Sequence, residues 1–141
     1  MHTELTEMLG IKYPVIMAPM FLVSNTAMVK AAIQSGITGA IPALNYRTID
    51  EFKNALQELK DLNQCYGINL IVNKSNYKLK EQLNSCLEFK VPFIITSLGS
   101  PEQVIKACRP LGIKVFCDVS DMAYARKAAA LNPDALIAVN K

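Results

Sequence analysis

The sequence predicts an α/β fold in which about six parallel strands alternate with helices. Three observations predict it. Short continuous apolar runs recur along the 141 residues, and such runs are the mark of strands buried on both faces. Each run is followed by a helix-capping residue and then by apolar residues at helical spacing. The alternation is strict, which requires parallel pairing through right-handed crossovers. Two architectures satisfy this pattern: an open doubly wound sheet, and an incomplete (β/α)8 barrel. A complete barrel needs eight strands and roughly 250 residues. With no linker or low-complexity segment, residues 1–141 read as a single domain.

The elements follow in order. Thr3 to Leu9 is a brief helix closed by Gly10. Pro14-Val15-Ile16-Met17-Ala18-Pro19-Met20 holds the first strand. Pro19 ends it, because proline can neither donate a ladder hydrogen bond nor leave its fixed φ. Ser24 to Ser35 is the first long helix, with Ser24 expected at its N-cap and Gly36 beyond its end. Gly39 to Leu44 is the second strand. Thr48 and Glu51 then form a capping box, behind which Phe52, Ala55, Leu56, Leu59 and Leu62 recur at helical spacing. Tyr66 to Val72 is the third strand and Ser75 to Glu88 the next helix. Phe93 to Ser97 is the fourth strand. Ser100-Pro101-Glu102-Gln103 is expected to open a helix with Pro101 at N1 and Gln103 completing a box. Lys114 to Asp118, Asp121 to Leu131 and Ala135 to Val139 supply the fifth strand, its helix and the sixth strand.

Composition narrows the function. No apolar run approaches the roughly 20 residues of a membrane span. The N-terminus lacks the basic and apolar regions of a secretory leader, so a cytoplasmic protein with no membrane partner is expected. A net charge of +3 is too weak to argue for nucleic acid. Cys65, Cys86, Cys108 and Cys117 show no metal-ligand spacing, and are expected to be buried apolar residues. The only histidine, His2, lies at the extreme N-terminus and is given no catalytic role.

No G-x-G-x-x-G follows the first strand and no Walker A sequence occurs, which disfavours classical dinucleotide and P-loop sites. Polar residues instead gather where strands end: Asn45, Asn69, Asn73, Thr96, Ser97, Asp118 and Asn140. In α/β proteins ligands bind at the C-terminal ends of the strands. Asn69 sits inside an apolar strand and must be hydrogen-bonded there, to a neighbouring backbone or to a ligand. Asp118 is either an acceptor for loop amides or a site residue. Lys74, Lys78 and Lys80 form a basic cluster that reads as a solvated helix face, or else as an anion site.

Four stretches carry a family resemblance. Leu9-Gly10-Ile11-Lys12-Tyr13-Pro14-Val15-Ile16-Met17-Ala18-Pro19-Met20 resembles the opening of the nitronate monooxygenase family, formerly the 2-nitropropane dioxygenases. Tyr66-Gly67-Ile68-Asn69-Leu70, Thr96-Ser97-Leu98-Gly99-Ser100-Pro101 and Asp134-Ala135-Leu136-Ile137-Ala138-Val139 resemble that family's third-strand, fourth-strand and sixth-strand motifs, in the same order. The resemblance implies the N-terminal part of an FMN-binding TIM barrel, stopping before the seventh strand. It implies oxidation of small nitronates or nitroalkanes with oxygen. Ala18, Pro19 and Met20 would contact the flavin, Asn69 would face it, and Ser97 and Asp118 would lie beside it.

The chain also departs from the family. Phe21-Leu22 stand where glycines are common, and Asp118 stands where many members carry a basic residue. The family's histidine base lies in a Gly-Gly-His segment after the sixth strand, so no residue among 1–141 is assigned catalysis. The related FMN-dependent enoyl-acyl-carrier-protein reductases share these motifs and supply a second reading. A third is a non-catalytic fragment that self-associates through unpaired strand edges.

Overall fold

The computed structural model describes residues 2–139. Asn140, one of the strand-end candidates, lies outside them. The order is α1 (Glu4–Leu9), β1 (Ile16–Met17), α2 (Thr26–Gln34), β2 (Thr38–Pro42), α3 (Ile49–Lys60), β3 (Gly67–Ile71), α4 (Leu79–Phe89), β4 (Phe93–Ser97), α5 (Glu102–Cys108), β5 (Lys114–Val119), α6 (Met122–Ala129) and β6 (Ala135–Ala138). All neighbouring strands pair parallel, and their spatial order is β1-β2-β3-β4-β5-β6. This order decides between the two architectures. A doubly wound sheet reverses its strand order at a switch point; here each strand joins the same advancing edge. The sheet curls into the first six strands of a (β/α)8 barrel, incomplete among the described residues.

The period of two along each strand sends side chains to two separate cores. Ile41, Ile68, Leu70, Ile94, Val115 and Cys117 face outward against Val29, Phe52, Leu56, Leu59 and Val104 of the helices. Ala40, Phe93, Ile95 and Phe116 face inward, with the Phe93 and Phe116 rings stacked 5.3 Å apart. Helix α1 closes the N-terminal end of this inner core with Leu5, Met8 and Leu9. Gly67 belongs to it by necessity, because a Cβ there would lie 2.2 Å from the Phe93 ring. Burial above the inner core thins toward the C-terminal ends of the strands, which leaves room for a site.

Several local expectations are corrected. The first strand pairs over Ile16 and Met17 only. Ser24 is not the N-cap of α2; Asn25 is, accepting from the Met28 N–H at 3.0 Å. The second strand ends at Pro42, followed by a 3-10 turn over Ala43–Asn45. Helix α4 begins at Leu79 rather than Ser75. The asparagines before it favour side-chain-to-backbone turns over helix: Asn73 Oδ1 accepts from the Ser75 N–H at 3.0 Å and Asn76 Oδ1 from the Lys78 N–H at 3.2 Å. Helix α5 has no capping box; Pro101 occupies the cap position itself. The Thr48–Glu51 box of α3 is present as read. Cys86, Cys108 and Cys117 are buried free thiols and Cys65 is half-buried. No helix among the described residues is long and apolar enough to cross a membrane.

Candidate functional site

The C-terminal ends of β2 to β5 open into a cleft of about 420 Å³. Pro19, Phe21, Pro42, Leu44 and Leu98 make apolar walls. Asn69, Ser97 and Asp118 make its polar floor. The register explains why these three meet. Asn69 pairs with Ile95 in the sheet and Ile71 with Ser97, so Ser97 stands one inward step above Ile95, beside Asn69. Asp118 is likewise one inward step above Phe116, the partner of Ile95.

Asn69 is 6% exposed and donates both amide hydrogens, one to the Ile95 carbonyl at 3.0 Å and one to Ser97 Oγ at 2.8 Å. The Ile95 carbonyl can only accept, which fixes the amide with its nitrogen toward β4. The Ser97 hydroxyl donates in turn to Asp118 Oδ2 at 2.5 Å. Burial pushes the Asp118 carboxyl above the usual carboxylate range, and the Ser97 hydrogen bond pulls partly against it. Asn69 satisfies its donors within the sheet, and Asp118 accepts from a neighbouring strand's side chain rather than from loop amides.

The loop after β1 forms one wall and is latched from two sides. Ser24 Oγ accepts from the Met20 N–H at 2.9 Å and donates to the Met20 carbonyl at 3.1 Å. Asn45 accepts from the Leu22 N–H and donates to the Ser24 carbonyl, both at 2.8 Å. These bonds hold Leu22 at φ +57°, a left-handed conformation unusual for leucine. The latch leaves Phe21 at the cleft and 61% exposed.

Of the six site residues read from sequence, Pro19, Asn69, Ser97 and Asp118 line the cleft together. Ala18 and Met20 flank Pro19 without lining it. Asn45 acts as a loop latch. Thr96 points to the opposite face, where its hydroxyl reaches toward the Phe116 carbonyl at 3.4 Å. Asn73 serves a turn. Lys78 Nζ donates to the Arg47 carbonyl at 2.6 Å, so the basic cluster does not converge on the cleft. His2 lies beside Glu7 of α1, at the other end of the sheet. Sequence reasoning missed the walls from Pro42, Leu44 and Leu98. Leu98 stands within the fourth-strand motif without a role of its own there; it bounds the cleft from a left-handed backbone position, at φ +63°. A second cleft of about 370 Å³ shares Ser97, Leu98 and Asp118 and is bounded by Tyr124 and Val139. There the Tyr124 hydroxyl donates to the Gly99 carbonyl.

Comparison with known proteins places this arrangement in context. The fold and the floor of the cleft define a chain of the (β/α)8-barrel class with its candidate site at the strand ends. No family model matches the chain. It is 25% identical over 138 residues to a (3aS,4S,5R,7aS)-5-hydroxy-7a-methyl-1-oxo-octahydro-1H-indene-4-carboxyl-CoA dehydrogenase of Mycobacterium tuberculosis, covering 97% of this chain and 38% of that one. Among solved structures it is similar to FabK from Thermotoga maritima, with a TM-score of 0.89, 26% identity, and coverage of 98% of this chain and 44% of that one. It also resembles nitroalkane oxidase from Streptomyces ansochromogenes in fold, with a TM-score of 0.82, 22% identity, and coverage of 96% and 48%. The chain therefore spans less than half the length of each of these proteins.

Proposed function

We propose that this chain is the first part of a cytoplasmic, FMN-dependent oxidoreductase acting on a small molecule. One observation carries the reading. Residues from three of the four family-like motifs, far apart in sequence, line a single cleft: Pro19, Asn69 and Ser97, joined there by Asp118. The structure fits a flavin ring in kind, since apolar walls suit a flat, largely apolar ring and a polar floor suits its polar edge. Pro19 would pack on the ring, with Ala18 and Met20 beside it. Asn69 and Asp118 would meet the polar edge, and Ser97 would hold Asp118 in place. When bound, the flavin supplies the electron transfer; the protein binds, orients and keeps water from it. Phe21 and Leu44 serve that last purpose at the rim.

The first substrate reading is oxidation of a nitronate or nitroalkane with oxygen, from the resemblance of the motifs. A specific observation favours a second, redox chemistry on an acyl thioester: the Mycobacterium tuberculosis relative is named as a carboxyl-CoA dehydrogenase. The first test is absorption spectroscopy after incubation with FMN and desalting, on this chain and on the longest natural protein that contains it. Retained flavin absorbance near ~450 nm in the longer protein supports the reading. Colourless protein in both cases ends it. Oxygen uptake with propyl-2-nitronate, against NAD(P)H oxidation with an enoyl thioester, then separates the two substrates.

A further inference from the structure

We infer that the cleft is built for a ligand whose polar edge donates hydrogen bonds and carries no negative charge, and that Asp118 is the residue that rejects anions. The inference rests on the proposed function only for the place of the site. It follows from accounting for each side-chain donor around the two adjoining clefts. The Asn69 amide spends its two hydrogens on Ile95 and Ser97. The single hydroxyl hydrogen of Ser97 goes to Asp118. The Tyr124 hydroxyl goes to the Gly99 carbonyl, and the Ser120 hydroxyl points to Asp121 Oδ2 at 3.4 Å. No lysine, arginine or histidine lines either cleft among the described residues.

What the side chains of the floor leave to a ligand is therefore acceptor capacity. Among the described residues, neither Asn69 Oδ1 nor Asp118 Oδ1 has a protein partner. The hydrogen bonds run one way, from Asn69 through Ser97 to the carboxyl, and the open end of that chain is an oxygen. A carboxylate head placed on this floor, where the proposed function seats the flavin's polar edge and not the substrate, would meet lone pairs and an uncompensated carboxyl. An N–H or O–H edge would satisfy both free oxygens, and the apolar walls would cover the body attached to it. Buried acceptors left without a donor cost free energy, so discrimination on this basis is strong.

The test uses two probes with the same alkyl body, hexanamide and hexanoate, titrated into the ¹⁵N-labelled chain at pH 7. The amide is expected to shift the backbone signals of Asn69, Ser97 and Asp118, and to bind about tenfold more tightly than the carboxylate. Asp118→Asn keeps the shape and removes the charge, and should bring the two affinities to within about twofold. Equal affinities in the parent chain, an unchanged ratio in D118N, shifts confined to other regions, or no binding of either probe would each overturn the inference. Flavin retention is read separately. Colourless protein with intact discrimination would end the proposed function and leave this inference standing.

Discussion

At the scale of single residues, Asp118 links pH to stability. Its pKa in the folded chain lies above the unfolded value, because burial outweighs the Ser97 hydrogen bond. Tyr124 of α6 and Cys117 of its own strand are the other titratable groups that feel it, and both are themselves pushed upward, hence neutral at pH 7. Folding therefore favours the protonated acid. The group costs no stability below the ordinary aspartate value of 3.8, and its cost appears as pH rises through the folded pKa. D118N is expected to raise the melting temperature at pH 7 by a few degrees, with the gain vanishing at pH 3; thermal melts at both pH values check this. Tyr66 supplies a second case. Its hydroxyl is buried with no hydrogen-bond partner among the described residues. Removing an unsatisfied buried hydroxyl is neutral or favourable, so Tyr66→Phe should hold or raise the urea midpoint, by up to about 1 kcal/mol. A loss of stability would show that the hydroxyl has a partner.

At the scale of elements, the loop between β1 and α2 depends on one residue outside it. Asn45 bridges the Leu22 N–H and the Ser24 carbonyl. Asn45→Ala should cost about 2 kcal/mol in denaturant unfolding, at roughly 1 kcal/mol per bond. It should also speed hydrogen exchange at Leu22 well before global unfolding. The same scale shows what was legible and what was not. Thr48 and Glu51 announced α3 because a capping box is a local interaction, complete within four residues. Ser24 also looked like a cap, but its hydroxyl is taken by Met20, and Asn25 caps instead. Ser75 looked like a helix start, yet Asn73 and Asn76 hold that stretch in turns. Where two polar residues compete for one backbone, the fold chooses between them.

At the scale of the whole molecule, β1 and β6 are the open edges of the sheet among the described residues. Val15, beside β1, and Leu136, on β6, are exposed at 49% and 40%. Unpaired edges with apolar flanks invite strand pairing, and we expect the 141-residue chain to pair with a second copy through them. Light scattering with size exclusion across a concentration series should show mass rising above one chain. A monomer at every concentration, with a cooperative melt, would rule this out. Gly67 tests the inner core on the same scale. A Cβ at this position collides with the Phe93 ring, so Gly67→Ala should cost about 1–3 kcal/mol or more in stability, read as a lowered urea midpoint.

The sequence by itself determined the alternation of strand and helix, the parallel pairing, the α3 cap and a family resemblance that pointed to Pro19, Asn69, Ser97 and Asp118. Each of these is written in local periodicity or in short contiguous motifs. Tertiary structure alone decided that the sheet curls rather than doubles back, since strand order is a relation between distant segments. It decided that Asn69, Ser97 and Asp118 form one directed hydrogen-bond chain, because their register spans three strands. It also decided that Leu98 and Leu44 wall the cleft, because a side chain's direction at a strand end depends on the backbone turn that follows and on what it packs against.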